Sequence, residues 1–213
     1  MKTFPNKIPV TFPNKIPVFP LSGVIYFPRT NLPLNIFEQR YLDLVNDCFR
    51  KDKLMGRIQS KRKDKGLYKV GCLGKISDLQ KSEDGRIIIN LTGITRFQVV
   101  EEVKNSKLYR EFKVDYEKFN LDLKPTSEEI NTDSLMEKAE VFFKKVGLLL
   151  NWKEFNKLDK IQKINTLAMI APLSNEEKQT LLESISLKEK AKTLDDIINF
   201  YLHEVNSNNQ TIQ

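Results

Sequence analysis

The sequence predicts an α+β protein, with a β-rich region over residues 16–118 followed by an α-helical bundle over residues 128–206. Three observations carry this. Short apolar runs bounded by Pro and Gly dominate the first half. From residue 126 onward, alternation gives way to a 3.6-residue period. Three Ser/Thr-x-x-Glu spacings, at 126–129, 174–177 and 186–189, match the capping box, in which hydroxyl and carboxylate reciprocally satisfy free N–H groups at a helix start.

In the first half, residues 16–19, 24–27, 54–58, 68–76, 86–91, 96–103 and 108–116 read as strands. Asp84-Gly85 marks a hairpin turn ahead of 86–91, because glycine takes positive φ without steric cost. Thr92-Gly93-Ile94-Thr95 separates two Ile/Val-rich runs. Residues 108–116 keep no single face, which calls for a bulge or a two-sided strand. One helix, residues 37–50, interrupts the strands: Phe37, Tyr41, Leu44, Val45 and Cys48 fall on one stripe and are expected in the core. In the second half the pattern predicts helices over 128–150, 158–171 (stopped by Pro172), 175–184 and 187–206. Residues 119–127 are left as a linker and 207–213 as a tail.

Residues 1–15 form an extension built on a direct repeat, with TFPNKIPV at 3–10 and again at 11–18. Eight residues are too few for a solenoid unit. The second copy runs straight into Phe19-Pro20-Leu21, so it is expected in the fold, with the first copy loosely held.

Composition excludes several classes. Hydrophobic residues make up 40% and charged residues 30% of 213, ordinary globular values. No apolar run approaches the ~18 residues of a membrane span, and no signal-peptide pattern opens the chain, so a cytoplasmic protein with no membrane partner is expected. Two cysteines, Cys48 and Cys72, and one histidine, His203, do not make a Cys/His zinc site; the cysteines are expected as free buried thiols. Ser-His-Asp or Cys-His catalysis would rest on His203, near the end of the last helix. The phosphate loop is absent, since Gly74-Lys75 is followed by Ile76. Adjacent acids such as Glu101-Glu102 and Asp195-Asp196 diverge in either regular structure. No catalytic residue, metal ligand or cofactor is expected. The net charge of +7 is uneven: residues 1–120 hold 23 Lys/Arg against 13 Asp/Glu, and residues 121–213 hold 12 against 15. The excess is densest at Arg57, Lys61, Arg62, Lys63, Lys65 and Lys69, which is either a solvated loop or a nucleic-acid contact.

Five stretches resemble one family. Residues 16–28 (IPVFPLSGVIYFP) are similar to the opening of the N-terminal domain of Lon proteases. Residues 32–41 (LPLNIFEQRY) resemble its L-P-L-H-I-F-E-P-R-Y signature, with Asn35 in place of the usual His and Gln39 in place of Pro. Residues 70–76 (VGCLGKI) and 91–97 (LTGITRF) resemble its V-G-(C/T)-x-(G/A)-x-I and G-x-x-R-F segments. Residues 171–179 (APLSNEEKQ) resemble the helical part of short bacterial members. The matches keep the family's order over about residues 16–205.

The resemblance implies a PUA-like β pseudo-barrel with one packed helix, followed by a helical bundle. It also implies a role in engaging protein substrates. The motor and peptidase follow this region in full-length members, and with the chain ending at Gln213 neither is expected, so the expected activity is binding: a non-enzymatic module for unfolded or partly folded polypeptides, with polypeptide clients or a separate protease as partners. Glu38 and Arg40, in the most recognisable motif, read first as a buried ion pair fixing the helix on the barrel; the alternative is that Glu38, Arg40 and Tyr41 are peptide contacts lining a groove. Arg96 is expected to be structural. A cleft between the two regions or a free strand edge would suit an extended client, with Phe4, Phe12, Trp152 and Phe155 as spare apolar groups. The alternative is RNA binding, since other PUA-like barrels bind RNA; Arg57, Lys61, Arg62, Lys63 and Lys65 would then be the contacts.

Overall fold

The computed structural model describes residues 11–61, 66–124 and 130–210, with side chains as far as His203. The chain divides into two compact units, residues 1–124 and 125–213.

The first unit holds six strands: β1 (Lys15–Leu21), β2 (Asn31–Ile36), β3 (Leu54–Ser60), β4 (Leu67–Lys81), β5 (Ile87–Val103) and β6 (Arg110–Asp115), with helix α1 (Gln39–Phe49) between β2 and β3. The sheet order is β2-β5-β4-β3-β1-β6, and β6 pairs again with β5. That second pairing closes β5, β4, β3, β1 and β6 into a pseudo-barrel and leaves β2 as an edge. Neighbours pair antiparallel except β1 and β3, which run parallel. The interior is filled by Ile16, Val18, Leu54, Ile58, Leu73, Ile94, Phe97, Phe112 and Val114, the inward positions of five different strands.

β5 is one strand of 17 residues, not two. Residues 92–95 bend it rather than break it. Against β4 the register steps from Leu73↔Thr95 to Gly74↔Gly93, leaving Ile94 as the extra residue of a bulge. Bulges and glycines are how a long strand turns a barrel corner. Gly93 is required there, because a Cβ would run into the carbonyl of Phe27. The Asp84-Gly85 turn forms as expected: Gly85 has φ +84, Ser82 N–H donates to Arg86 O, and Asp84 clasps the Arg86 guanidinium.

One sequence expectation fails here, and the strand beside it was not foreseen. Residues 24–27 are not a strand. Ile25, Tyr26 and Phe27 are fully buried, but as a loop pinned by Tyr26 Oη–H to Cys72 O (3.0 Å) and by Phe27 N–H to Thr30 Oγ1 (3.1 Å). An apolar run reports burial, not backbone conformation. The strand is β2, where Leu32, Leu34 and Ile36 point inward and alternate with Asn31, Pro33 and Asn35. Gly93 N–H donates to Thr30 O, so alternation directs the backbone groups of residues 31, 33 and 35 to the open edge. Pro33 has no N–H to present there, which blunts the edge against further pairing.

Helix α1 starts later than the stripe suggested. Phe37 lies outside it and is 66% exposed, while Tyr41, Leu44, Val45 and Cys48 are buried. Residues 119–123, expected in the linker, belong to a 3-10 segment, Glu117–Leu123. It carries Asp122 onto Arg96, whose guanidinium donates to both carboxylate oxygens (Nη2–Oδ1 2.7 Å, Nε–Oδ2 2.9 Å) and lies 4.4 Å over the Phe119 ring. The second repeat copy is built into this unit: Val114 N–H donates to Asn14 O, Tyr116 Oη–H to Pro13 O, and Phe12 packs on Tyr116. The first copy, residues 3–10, lies outside the described residues, as do Phe4 and the 126–129 capping spacing.

The second unit holds α2 (Asp133–Lys145), α3 (Trp152–Phe155), α4 (Lys160–Ile170), α5 (Asn175–Glu183) and α6 (Leu187–Gln210). The predicted 128–150 helix ends early, at Gly147 (φ +71), where Leu148 N–H reaches back to Phe143 O. Ser174 and Glu177 form the expected capping box. At Ser186 the hydroxyl caps Glu189 N–H, while the Glu189 carboxylate takes the N–H of Ile185. Asp159 and Gln162 form a further box that a Ser/Thr-Glu search misses. Trp152 and Phe155 pack with Phe143 inside this unit.

Candidate peptide-binding groove

Within the first unit, α1 begins beside the end of β1 and faces the segment that leads into β6. Between them lies a groove of about 340 Å³. Glu38, Arg40 and Tyr41 form one wall and Leu108, Tyr109 and Arg110 the other; Pro20, Leu21 and Ser22 make the floor, with Ser60 and Leu67 at one end.

Local chemistry sets each wall. Arg40 and Glu38 do pair (Nη2–Oε2 2.6 Å), but as a half-exposed surface pair and not a buried one. The pair holds the guanidinium 4.6 Å over the Tyr41 ring. Tyr41 packs edge-on against Phe19 (centroids 4.1 Å), and its hydroxyl reaches Pro20 O at 3.3 Å. Burial raises its pKa, so it remains a neutral donor. Opposite, Arg110 is held by a two-point pair with Glu102, both distances 2.6 Å, and Leu108 is 65% exposed. Tyr109 donates to Asp47 on α1 at 2.7 Å. Burial, reinforced by that bond, pushes Tyr109 up to about 12 against the pull of Lys107.

β6 pairs with β1 only over Lys15–Val18, so beyond Val18 this edge of β1 faces the groove. The bond from Val114 N–H to Asn14 O sets the alternation, which turns the backbone of Ile16, Val18 and Pro20 to this side. Pro20 has no N–H, and its carbonyl is occupied by Tyr41. Strand addition is therefore blocked here.

The three expected peptide contacts thus stand together. Their partners Leu108, Tyr109 and Arg110 come from about seventy residues further along and carry no motif. Of the five basic residues, Arg57 and Lys61 lie among the described residues. Arg57 is 2% exposed on β3, its Nη2–H donates to Leu21 O at 3.0 Å, and burial lowers its pKa to about 10. It is therefore no surface contact. Lys61 is exposed, 5.3 Å over the Tyr68 ring, and Arg62, Lys63 and Lys65 lie outside the described residues. Both cysteines are free and buried. Among the described residues no three His, Cys, Asp or Glu side chains stand close enough to hold a metal, and no helix is long and apolar enough to cross a membrane. His203 is exposed on α6.

Comparison with known proteins gives the context. The model of the ATP-dependent protease La (LON) substrate-binding domain matches residues 15–199. The chain belongs to the Lon substrate-binding domain family. Relatives include Lon protease 2 of Myxococcus xanthus, 27% identical over 193 residues, and the Lon protease of Syntrophus aciditrophicus, 26% identical over 199. The alignments cover 84% and 86% of this chain but only 23% and 25% of those proteases, so the chain spans about a quarter of their length. The shared part is the Lon substrate-binding domain and not the peptidase. Among solved structures, the Lon N-terminal domain protein from Xanthomonas campestris superposes with a TM-score of 0.63 at 23% identity, covering 87% of this chain and 97% of that one. The N-terminal domain of the Mycobacterium avium complex Lon protease superposes at 0.58 and 17% identity, covering 87% and 98%. These two share the fold: an α+β arrangement of six strands with a C-terminal helical region.

Proposed function

We propose that this chain is a binding module that holds unfolded or partly folded polypeptide in the groove between α1 and the segment before β6, in the setting of Lon-type proteolysis. The observation that carries it is the groove itself: in a chain of the Lon substrate-binding family, Glu38, Arg40 and Tyr41 face the exposed Leu108 side chain and the Arg110 guanidinium over a floor whose backbone is sealed. Burying the exposed Leu108 side chain is worth ~1.5–3 kcal/mol and persists in salt. The two guanidiniums stand over aromatic rings, Arg40 4.6 Å from the centre of Tyr41 and Arg110 5.1 Å from that of Phe112, where they are held to orient clients. No bond is made or broken. The partners are polypeptide clients and a protease that consumes them, and the setting is cytoplasmic.

The test is fluorescence anisotropy of a labelled, permanently unfolded polypeptide, titrated at low and moderate salt with wild type, Leu108→Glu and Arg40→Glu. Both positions are exposed, so the variants fold. Loss of about tenfold in affinity with Leu108→Glu is expected, consistent with one buried side chain at ~1.4 kcal/mol per decade. Unchanged affinity in both variants would refute the groove. Binding of RNA alone, abolished by moderate salt, would point to the basic stretch at Lys61–Lys69 instead.

A further inference from the structure

The wall opposite α1 is built unlike the rest of the unit. Residues 104–108 are consecutively exposed and lie in no regular element. The apolar side chain among them, Leu108, points to solvent. What holds this wall is polar. Asn105 Oδ1 accepts the N–H of Lys107 (2.9 Å), closing the turn, and Asn105 Nδ2 donates to Glu111 (3.0 Å). Lys107 Nζ donates to the other oxygen of Glu111 (3.0 Å), and Lys15 reaches the same carboxylate at 3.2 Å. Glu111 itself is 6% exposed, on β6 beneath the wall. Lys107 Nζ also lies 4.9 Å over the ring of Tyr109, whose hydroxyl is tied to Asp47 of α1. Behind the wall is a second, polar cavity of about 200 Å³, lined among others by Lys15, Asp47, Lys107 and Glu111; Tyr109 lines both cavities.

From this geometry we infer that Lys107 and Asn105, which line no part of the groove, are positioning residues for it: with Glu111 they set the height of the Leu108–Tyr109 wall, and through Tyr109–Asp47 they set its distance from α1. The wall is a thin partition between two cavities. Tyr109 is its buried anchor; residues 104–108 have no core packing, so their place depends on a few charge-assisted hydrogen bonds, and such a segment opens on its own, apart from the barrel. The inference rests on the groove being the client site.

The experiment uses the full chain with Lys107→Met, Asn105→Ala and Lys107→Arg, and Lys113→Met as a control that breaks only the surface pair with Glu101. Two quantities are read: amide hydrogen exchange of residues 105–109 without any client, and dissociation of the labelled unfolded polypeptide. In Lys107→Met and Asn105→Ala, exchange of 105–109 should rise about tenfold while β4 and β5 stay protected, and the polypeptide should leave about five to ten times faster, matching the loss of one charge-assisted bond. Lys107→Arg, which keeps charge and donors, and Lys113→Met should do neither. Unchanged exchange in 105–109 would overturn the network's hold on the wall. Faster exchange with unchanged dissociation would overturn its role in binding. Failure of wild type to bind polypeptide would refute the groove and the positioning role together, yet the exchange arm would still report whether the network holds the wall.

Discussion

Replacing Asp122 by alanine should be among the most damaging single changes in the first unit. Its carboxylate is 8% exposed and accepts from the Arg96 backbone N–H (2.9 Å) and from two atoms of the Arg96 guanidinium, whose side chain is 3% exposed. Truncation leaves the guanidinium buried without this carboxylate and detaches the Glu117–Leu123 segment from β5. Removing one partner of a buried pair costs ~3–5 kcal/mol, against a total domain stability of ~5–15 kcal/mol. Removing both charges is a different perturbation. Arg96→Met with Asp122→Leu keeps volume near Phe119 and leaves no buried charge, so its cost should be far smaller. The assay is urea unfolding followed by far-ultraviolet circular dichroism on wild type, Asp122→Ala and the double variant, with slopes compared so that midpoint shifts report stability. Amide exchange along β5 would confirm that the loss falls in the first unit. A cost below ~1 kcal/mol for Asp122→Ala would refute the reasoning, because it would mean the pair is effectively solvated. Equal losses in both variants would refute it too, by assigning the effect to shape and not to charge.

Three further outcomes are expected. Gly93→Ala should destabilise by ~1–3 kcal/mol, since its Cβ meets the Phe27 carbonyl at the bend of β5; the same urea titration checks this. The Glu111 carboxyl sits below its usual range: burial alone would raise it, but the hydrogen bonds from Lys107 and Lys15 more than offset that. A depressed folded-state pKa means stability present above the unfolded value of ~4.3 and lost as pH falls through the folded value. Unfolding midpoints measured from pH 7 down to pH 3 should therefore fall more steeply in wild type than in Glu111→Gln; parallel curves would contradict the assignment. Burial also pushes the Cys48 thiol up to about 12, and Cys72 is 1% exposed. Neither should react with an alkylating reagent at pH 8 until urea unfolds the chain, and rapid labelling of the native protein, read by mass spectrometry, would count against that burial.

What the sequence determined by itself was local. The capping box at Ser174, the Asp84-Gly85 turn, the stripe Tyr41-Leu44-Val45-Cys48 and the change of period near residue 126 each depend on residues a few positions apart. Chemistry at that range is readable without a fold. The motif around Glu38, Arg40 and Tyr41 belonged to the same class, and so half of the groove was legible. Tertiary structure decided everything that depends on long-range pairing. An apolar run at 24–27 was as good a strand as any until Cys72 and Thr30 claimed its polar groups. Leu32, Leu34 and Ile36 form a strand that was not read from the sequence; β2 is an edge, where the missing N–H of Pro33 faces no partner. Arg57 looked like one cation of a basic run, and its place on β3 buried it. The second wall of the groove, Leu108 to Arg110, could not be read at all. It meets α1 only because β6 closes the barrel between β1 and β5, and barrel closure is a property of strand pairing across the whole unit, which no short stretch of sequence encodes.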